Sequence, residues 1–292
     1  MNAPRPLFDA HLHIVDTRFP LVANGGYLPE EFTAEHYRRR VADLGVVGGA
    51  VVSGSFQAFD QGYLLDALER LGPGFVGVTQ IPHDTPDARI AELAAKGVRA
   101  VRFNLRRGGS EGAEHLEALA RRVHAVAGMH TELYVDARDL GRIADTVAAL
   151  PAVSVDHLGL HADGLPDLLR LVERGVRVKA TGFGRVDLDP VAAMRAVLEV
   201  DPSALMAGTD LPSTRARRPF EDTDLDLVAR AAGEHLDAVL HDNAAAFYRV
   251  GSRGSGRPGP SDPVSLRRPG PGTAASPARP RPPSRKAPPP SR

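Results

Sequence analysis

The chain has 292 residues, of which 42% are hydrophobic and none is cysteine. This length suits one large domain or two small ones, and the missing cysteines exclude disulfides, thiolate metal sites and a cysteine nucleophile. No apolar run approaches the ~18 residues that a membrane helix needs, and no apolar stretch typical of a signal peptide precedes Phe8. We therefore expect a cytoplasmic protein that is not embedded in a membrane.

Basic and acidic residues are equal in number, 36 of each, but they are unevenly distributed. Residues 251–292 hold nine basic residues and one acidic residue, together with 12 prolines, 6 glycines and 7 serines. This segment lacks the apolar residues needed to offset the entropy of ordering it, so we predict a disordered tail after a folded domain over residues 1–250. A basic tail suggests contact with nucleic acid, but the tail has no aromatic residues for base stacking, so nucleic acid is not an expected partner.

Short apolar runs alternate with amphipathic helical patterns along residues 1–250. The predicted strands cover residues 7–15, 46–52, 75–80, 98–105, 131–135, 152–156, 176–180 and 205–207. Between them apolar residues recur three and four apart, as in Leu116, Leu119 and Val123, which indicates helices that bury one face. Eight strand–helix units with nearly continuous apolar strands predict an α/β fold, a (β/α)8 TIM barrel. The glycine-rich phosphate loops of nucleotide-binding folds are absent from the sequence.

Polar residues stand at the end of every predicted strand, which is where a TIM barrel places its chemistry. One such residue is commonly a cap or a turn residue, but eight strands that deliver polar residues to one face indicate an active site. In chain order these residues are His11 and His13, Ser53 and Ser55, Gln80, Arg102 with Asn104, Arg106 and Arg107, Tyr134 with Asp136, Asp156 with His157, Lys179 with Arg185, and Thr209 with Asp210.

His11 and His13 are two positions apart, so both side chains are expected on the same side of the first strand, facing the mouth of the barrel. With His157 and Asp210 they would form a cluster able to bind a divalent cation or to polarise a carbonyl directly. A carboxylate beside three imidazoles is also placed to accept a proton from water. Taken alone, the histidine pair is also compatible with two structural histidines near a strand end.

Several motifs resemble the amidohydrolase superfamily, in its amidohydrolase-related branch. They span about residues 7–250 and are Phe8-Asp9-Ala10-His11-Leu12-His13, Asp156-His157-Leu158-Gly159, Gly208-Thr209-Asp210-Leu211-Pro212 and Asp242-Asn243-Ala244-Ala245-Ala246-Phe247-Tyr248. Within that branch the chain is most similar to 2-pyrone-4,6-dicarboxylate lactonases, which hydrolyse a cyclic ester bearing two carboxylates. That closer similarity is carried by Val101-Arg102-Phe103-Asn104, Tyr134, and Lys179 followed by Arg185.

The resemblance implies hydrolysis of a small carboxylated lactone or related ester, in aromatic catabolism. Asp210 would be the general base that takes a proton from water, and His11, His13 and His157 would polarise the carbonyl and stabilise the oxyanion. The groups implied to hold the substrate carboxylates are Arg102, Arg106 or Arg107, Tyr134, Arg185, and Ser53 or Ser55, with Tyr27 closing over them. The sequence does not distinguish Arg106 from Arg107, and Lys179 is equally consistent with a buried ammonium paired with Asp156.

Metal-dependent members of the superfamily generally place a histidine or a carbamylated lysine at the ends of strands four and five, where this chain has Arg102 and Tyr134. A guanidinium repels a cation and pairs with a carboxylate. We therefore expect an enzyme without a metal or another cofactor, whose partner is a small carboxylate-bearing substrate. One alternative is a mononuclear zinc hydrolase or decarboxylase that uses His11, His13, His157 and Asp210. Another is a non-catalytic barrel with a basic interaction tail, and the sequence does not indicate the oligomeric state.

Overall fold

The computed structural model describes residues 4–250, so the predicted tail lies outside the described residues. Eight strands form one parallel sheet in which each strand pairs with the next along the chain. The strands are β1 Leu7–Leu12, β2 Val46–Val52, β3 Phe75–Thr79, β4 Val98–Asn104, β5 His130–Tyr134, β6 Val153–Val155, β7 Arg177–Ala180 and β8 Leu205–Ala207. The predicted (β/α)8 barrel is confirmed.

Helices follow the strands and cover the outside of the barrel. The α-helices are α1 Ala34–Arg40, α2 Gly62–Leu71, α3 Asp87–Ala95, α4 Leu116–Ala127, α5 Ala144–Ala148, α6 Leu165–Val172, α7 Pro190–Val200, α8 Asp224–Ala232 and α9 Asn243–Phe247. Among the described residues, no helix is both long and apolar enough to cross a membrane.

Glycines end several helices just ahead of the next strand. Gly97 and Gly128 have φ angles of +98° and +62°, a left-handed conformation that a residue with a Cβ adopts only at a cost. Gly128 ends α4, and its backbone N–H donates to His124 O at 2.7 Å. The chain can therefore reverse sharply after a helix and enter the next strand.

Backbone hydrogen bonds join the segment after β8 to the end of β1 and close the barrel beside the histidines. The Asp210 N–H donates to His11 O and the His13 N–H donates to Leu211 O, both at 2.7 Å. This second bond also explains why β1 ends at Leu12 and not at residue 15: the His13 N–H bonds to the segment after β8, and Val15 pairs with Phe32 and not with β2. The closure fixes the backbone on both sides of the histidine pair.

The apolar core has two main parts. The larger part joins strand residues such as Leu133 and Val178 to helix residues such as Leu119 and Met194, all almost fully buried. The second part joins Phe8 of β1 and Met206 of β8 to α9 and the Tyr248 that follows it. The phenyl ring of Phe8 stacks on Tyr248 with ring centroids 5.4 Å apart. The last described helix therefore belongs to the barrel core.

Candidate active site

Three imidazole rings meet where β1 and β6 end. The centroid of the His11 ring lies 4.9 Å from that of His13 and 4.8 Å from that of His157, and all three side chains are buried. Their Nε2 atoms surround Asp210 Oδ1 at 4.0 Å for His11, 3.5 Å for His13 and 4.0 Å for His157. The structure therefore brings together the three histidines and the carboxylate that the sequence placed at strand ends.

His157 and Asp210 are held in an uncommon backbone conformation. Their φ angles are +52° and +60°, in the left-handed region that residues other than glycine rarely occupy. Such residues cluster at functional sites, where the surrounding structure holds them in place. Gly182 provides the room they need, because a Cβ there would lie 2.7 Å from His157 Nδ1 and 3.1 Å from Asp210 Oδ2.

Hydrogen bonds on the far side of the rings orient two of the histidines. His13 Nδ1 lies 2.7 Å from Val52 O, and since a carbonyl only accepts, that nitrogen carries the hydrogen. In a neutral His13 the lone pair is then on Nε2, which faces the Asp210 carboxylate. His157 Nδ1 lies 2.8 Å from Thr181 Oγ1, a hydroxyl that can donate or accept. The space between His13 and Asp210 is thus suited to a proton or a cation.

Burial and charge set the protonation states of the site. Burial alone would raise the pKa of Asp210, but the Arg185 guanidinium and the histidines outweigh it and hold the pKa well below the usual range for an aspartate. Arg185 Nε donates to Asp210 Oδ2 at 2.5 Å. Burial also lowers the pKa of His157 to about 3 and that of His11 well below its ordinary value. At neutral pH the site therefore combines an ionised Asp210 with uncharged His11 and His157.

A buried network of ion pairs lies next to His11. Lys179 Nζ lies 2.5 Å from Glu132 Oε2, 3.4 Å from Asp156 Oδ1 and 3.3 Å from His11 Nδ1. Lys179 pairs with Asp156, as expected for the alternative of a buried ammonium, but Glu132 is its nearer partner. Sequence reasoning missed Glu132; the available signal was a charged residue in the middle of an apolar strand.

Arg102 is part of the same network. Its Nε and Nη2 atoms donate to Asp156 Oδ2 at 3.1 and 2.8 Å, and its Nη1 atom donates to Ser53 O at 2.9 Å. Its guanidinium carbon also lies 5.1 Å from the centroid of the Tyr134 ring. Arg102 therefore lines the pocket, as Arg185 does, while its guanidinium is paired with a carboxylate of the site.

A narrow pocket opens above the histidines. In this conformation it has a free volume of about 20 Å³, room for roughly one water molecule, so substrate entry requires side chains to move. Its lining consists of His13, Gly54, Ser55, Phe56, Arg102, Asn104, Arg107, Tyr134, His157, Arg185, Thr214 and Arg215.

The pocket lining separates the alternatives that the sequence left open. Arg107 lines the pocket, whereas Arg106 lines a neighbouring cavity. Ser55 lines the pocket, whereas the Ser53 hydroxyl lies 2.7 Å from Tyr63 OH in the interior. The geometry therefore favours Arg107 and Ser55 as the members of each pair that reach a ligand.

Arg215 is a cationic residue of the pocket that sequence reasoning missed. Its guanidinium carbon lies 4.3 Å from the centroid of the Tyr27 ring, and its Nη1 donates to Asn24 Oδ1 at 2.9 Å. Arg215 thus connects the loop that carries Tyr27 to the pocket, whereas Tyr27 is not among the residues that line the pocket. The available signal was the run of arginines at positions 215, 217 and 218, shortly after β8.

A larger cavity, of about 870 Å³, lies elsewhere in the barrel wall. Its lining includes Gly72 and Gly97, which precede β3 and β4, and Arg249 near the end of the described chain. Barrel enzymes carry their chemistry at the opposite ends of the strands. We assign the chemistry to the smaller pocket because the perturbed titratable groups converge there.

The donor atoms of the site fit a divalent cation. One ligand atom each of His11, His13 and Asp210 lie within 4.8 Å of one another. Among the described residues, His11 Nε2 and Asp210 Oδ1 are buried without a hydrogen-bond partner. The 3.5 and 4.0 Å separations are near the ~3.4 Å between ligands of a tetrahedral zinc ion. A cation at this position would compete with Arg185 for Asp210.

Comparisons with known proteins agree with this fold. A family model described as Amidohydrolase matches residues 8–250. A 2-pyrone-4,6-dicarboxylate hydrolase from Comamonas testosteroni is 32% identical over 84% of this chain and 90% of its own length. A 4-sulfomuconolactone hydrolase from Rhizobium radiobacter is 27% identical over 85% of this chain and 91% of its own. A solved structure, a probable 2-pyrone-4,6-dicarboxylic acid hydrolase from Acinetobacter baumannii with citric acid bound, is 19% identical with a TM-score of 0.73, covering 83% of this chain and 99% of that one.

Proposed function

The chain belongs to the amidohydrolase family, and on that premise we propose that it is a hydrolase acting on a small lactone with carboxylate or similar anionic groups. The observation that carries this proposal is the ionised Asp210, whose Oδ1 faces three imidazoles while its Oδ2 is held by Arg185. A carboxylate surrounded in this way can take a proton from water beside groups that polarise a carbonyl.

The charge of the pocket indicates an anionic substrate. Arg107, Arg185 and Arg215 all line it, and guanidinium groups pair strongly with carboxylates. Two hydrolases to which the chain is similar are named for 2-pyrone-4,6-dicarboxylate and 4-sulfomuconolactone, both anionic lactones. We also propose that the enzyme is cytoplasmic and acts in aromatic catabolism.

Arg185 gives this site a way to couple substrate binding to base strength. In the free protein the guanidinium lowers the pKa of Asp210, which makes the carboxylate a weak base. A substrate carboxylate that draws Arg185 away from Asp210 would raise that pKa. Asp210 would therefore become a stronger base when an anionic substrate occupies the pocket.

In the reaction, water adds to the lactone carbonyl carbon while Asp210 takes one of its protons. The developing oxyanion is stabilised by His157: with the Thr181 hydroxyl donating to His157 Nδ1, the hydrogen of His157 is on Nε2 and faces the pocket. The bond between the carbonyl carbon and the ring oxygen then breaks. Protonated Asp210 returns the proton to the ring oxygen, which leaves an open-chain hydroxy or enol acid.

We propose that this reaction does not require a metal. Asp210 is paired with Arg185, and Asp156 is paired with Arg102 and Lys179, so the carboxylates nearest the histidines already have cationic partners. Were a divalent cation bound, His11, His13 and Asp210 would hold it, and it would polarise the carbonyl or acidify a bound water.

The proposal is tested by assaying the full-length protein with 2-pyrone-4,6-dicarboxylate, 4-sulfomuconolactone and an uncharged six-membered lactone. We expect kcat/KM for at least one anionic lactone to exceed that for the uncharged lactone by on the order of 100-fold, because charge-assisted contacts exist only with the anionic substrates. The proposal fails if none of the three is hydrolysed, or if the uncharged lactone is hydrolysed as efficiently as the anionic ones.

A further inference from the structure

A second cluster of histidines and a carboxylate lies outside the candidate active site, on two loops that follow neighbouring strands. It consists of His83, after β3, and of Glu111 and His115, between β4 and α4, and we name these three residues the rim cluster. None of its members lines the pocket above Asp210. The mechanism proposed for Asp210 therefore does not use it.

The rim cluster presents two ring nitrogens to one carboxylate. His83 Nδ1 lies 3.2 Å from Glu111 Oε1, and His115 Nε2 lies 3.7 Å from Glu111 Oε2. The two imidazoles stack with centroids 3.9 Å apart and planes within 5° of parallel, and one nitrogen of each ring faces Glu111. For both lone pairs to point at one ion, the rings must tilt out of this parallel stack. One ligand atom from each residue lies within 4.8 Å of the others.

The carboxyl group of the rim cluster is charged, as a metal ligand should be. Partial burial acts to raise the pKa of Glu111, but hydrogen bonds from the backbone N–H and ring of His83 outweigh it and lower that pKa. Glu111 is therefore a carboxylate at neutral pH.

The neighbouring backbone holds the ligands in this arrangement. The His83 N–H donates to Glu111 Oε1 at 2.7 Å, so the loop after β3 is attached to the loop after β4 at this point. Arg122 of α4 donates to His83 O at 3.1 Å and to Thr85 O at 2.6 Å. Glu111 and His115 lie on the segment just before α4, where His115 Nε2 is 3.7 Å from Glu111 Oε2. The cluster is thus built on fixed backbone and not on a single mobile loop.

We propose that the rim cluster is a second, non-catalytic binding site for a divalent transition-metal ion such as Zn²⁺. The ligands are His83 Nδ1, His115 Nε2 and a Glu111 carboxylate oxygen, with water completing the coordination. Two imidazoles and one carboxylate are a ligand set that zinc uses in proteins, and imidazole favours zinc, copper and nickel over magnesium and calcium. The ion would join the loop after β3 to the loop that carries Arg107.

The test is a calorimetric titration of Zn²⁺ into metal-free, full-length protein. Because His11, His13 and Asp210 are another potential acceptor, the titration is repeated with Asp210→Asn, which removes the carboxylate ligand of that site. We expect one binding event to persist in Asp210→Asn. We expect that event to weaken by on the order of 100-fold when His83→Ala or His115→Ala is added, because one of three protein ligands is lost.

His241→Ala is the matched control. His241 Nδ1 lies 2.8 Å from Asp242 Oδ1, so it pairs with a carboxylate as His83 does, but it belongs to no cluster of three ligands among the described residues. Its substitution should leave the binding event unchanged. In crystals soaked with Zn²⁺, an anomalous peak between His83 Nδ1 and His115 Nε2 would support the site. The absence of a binding event in Asp210→Asn, or equal affinity in the His115→Ala and His241→Ala variants, would overturn the proposal.

Discussion

Asp210 has two oxygens with different surroundings, and the proposed chemistry depends on that difference. Oδ2 accepts a hydrogen bond from Arg185, while Oδ1 is buried without a hydrogen-bond partner among the described residues and faces three imidazoles. Burying a carboxylate oxygen without a hydrogen-bond donor costs free energy, so such an oxygen calls for a functional explanation. This free oxygen is the one that we assign to proton transfer.

Asp210→Asn should lower kcat by roughly three orders of magnitude or more, while KM changes by less than about tenfold. The amide keeps the shape of the side chain but cannot accept a proton from water. The measurement is steady-state kinetics on the anionic lactone that the wild type hydrolyses best. A variant that retained a tenth of the wild-type kcat would exclude Asp210 as the base.

Arg215→Met should raise KM for an anionic lactone by roughly 10–100-fold and change KM for an uncharged lactone much less. Its guanidinium lines the pocket, where it is available to a substrate carboxylate. Arg217→Met is the matched control, because Arg217 lies two positions further on and pairs with Asp187 at the surface. Equal effects of the two substitutions on KM would show that Arg215 does not contact the substrate.

Loops, more than strands, decide which side chains reach the pocket. The loop after β4 carries Arg106 and Arg107, and only Arg107 lines the pocket. The Arg107 N–H donates to Asn104 Oδ1 at 3.0 Å, and the Arg107 carbonyl accepts from Asn24 at 3.1 Å. Gly109, two residues later, packs directly on the Ser55 backbone. The conformation of this loop therefore determines where the Arg107 guanidinium lies.

Gly109→Ala should raise KM for an anionic lactone by on the order of tenfold or more, because a Cβ there would lie 2.5 Å from Ser55 O and the loop would have to move. Gly108→Ala is the control. Both glycines have positive φ, +73° at Gly108 and +82° at Gly109, so both substitutions strain the backbone. A Cβ at Gly108, however, would meet nothing within 4 Å. If the two variants had the same KM, the contact between a Cβ at position 109 and Ser55 O would have no effect on substrate binding.

The strands and the four central residues could be predicted from the sequence because both depend on short-range patterns. Apolar runs mark the strands, and the strand ends of a closed barrel converge, which brought His11, His13, His157 and Asp210 together. The path of a loop is set by contacts that are distant in sequence, as between Gly109 and Ser55. For that reason neither the choice of Arg107 over Arg106 nor the position of Arg215 could be predicted.

At the scale of the whole molecule, ion pairs inside the barrel connect strands that are not neighbours. Lys179 of β7 bonds to Glu132 of β5, two strands away, and Tyr248 OH lies 2.5 Å from the other oxygen of Glu132. Glu132 and Lys179 are both fully buried. Breaking one partner of such a pair leaves an uncompensated charge in the interior, which costs far more than the intact pair contributes.

Glu132→Gln should lower the free energy of unfolding by about 3–5 kcal/mol at pH 7, measured by urea denaturation, because it leaves the Lys179 ammonium without its nearest partner. The double variant Glu132→Gln with Lys179→Met removes both charges and should recover at least half of that loss. A double variant less stable than the single one would show that Lys179 is held mainly by Asp156.

The stability loss in Glu132→Gln should also depend on pH. Burial acts to raise the pKa of Glu132, but Lys179 outweighs it, so the pKa in the folded protein lies below the usual 4.5 of a glutamate. A carboxyl group whose pKa is lowered on folding stabilises the protein above its unfolded-state pKa and loses that contribution as the pH falls. The difference between wild type and variant should therefore shrink below pH 4.5. A difference that stays constant down to pH 3 would contradict this account.

Removal of metal should leave lactone hydrolysis intact. We expect His115→Ala protein, in which the rim cluster lacks one ligand, to keep the same kcat before and after exhaustive chelation, with well under one equivalent of zinc by elemental analysis of the assayed sample. The elemental measurement carries more weight than inhibition, because a buried ion leaves slowly. Stoichiometric zinc that restores lost activity on re-addition would favour the zinc hydrolase alternative.

The position of Tyr248 has a consequence for how the protein folds during its synthesis. Its hydroxyl contacts Glu132 of β5 and lies 3.2 Å from Ala10 O of β1, so it joins early and middle parts of the chain. During synthesis, all eight strands leave the ribosome before Tyr248 does. Until then Glu132 has Lys179 but not Tyr248, and Phe8 lacks the ring that covers it. A nascent chain arrested just before Tyr248 should therefore be more sensitive to proteolysis than one arrested after it has emerged.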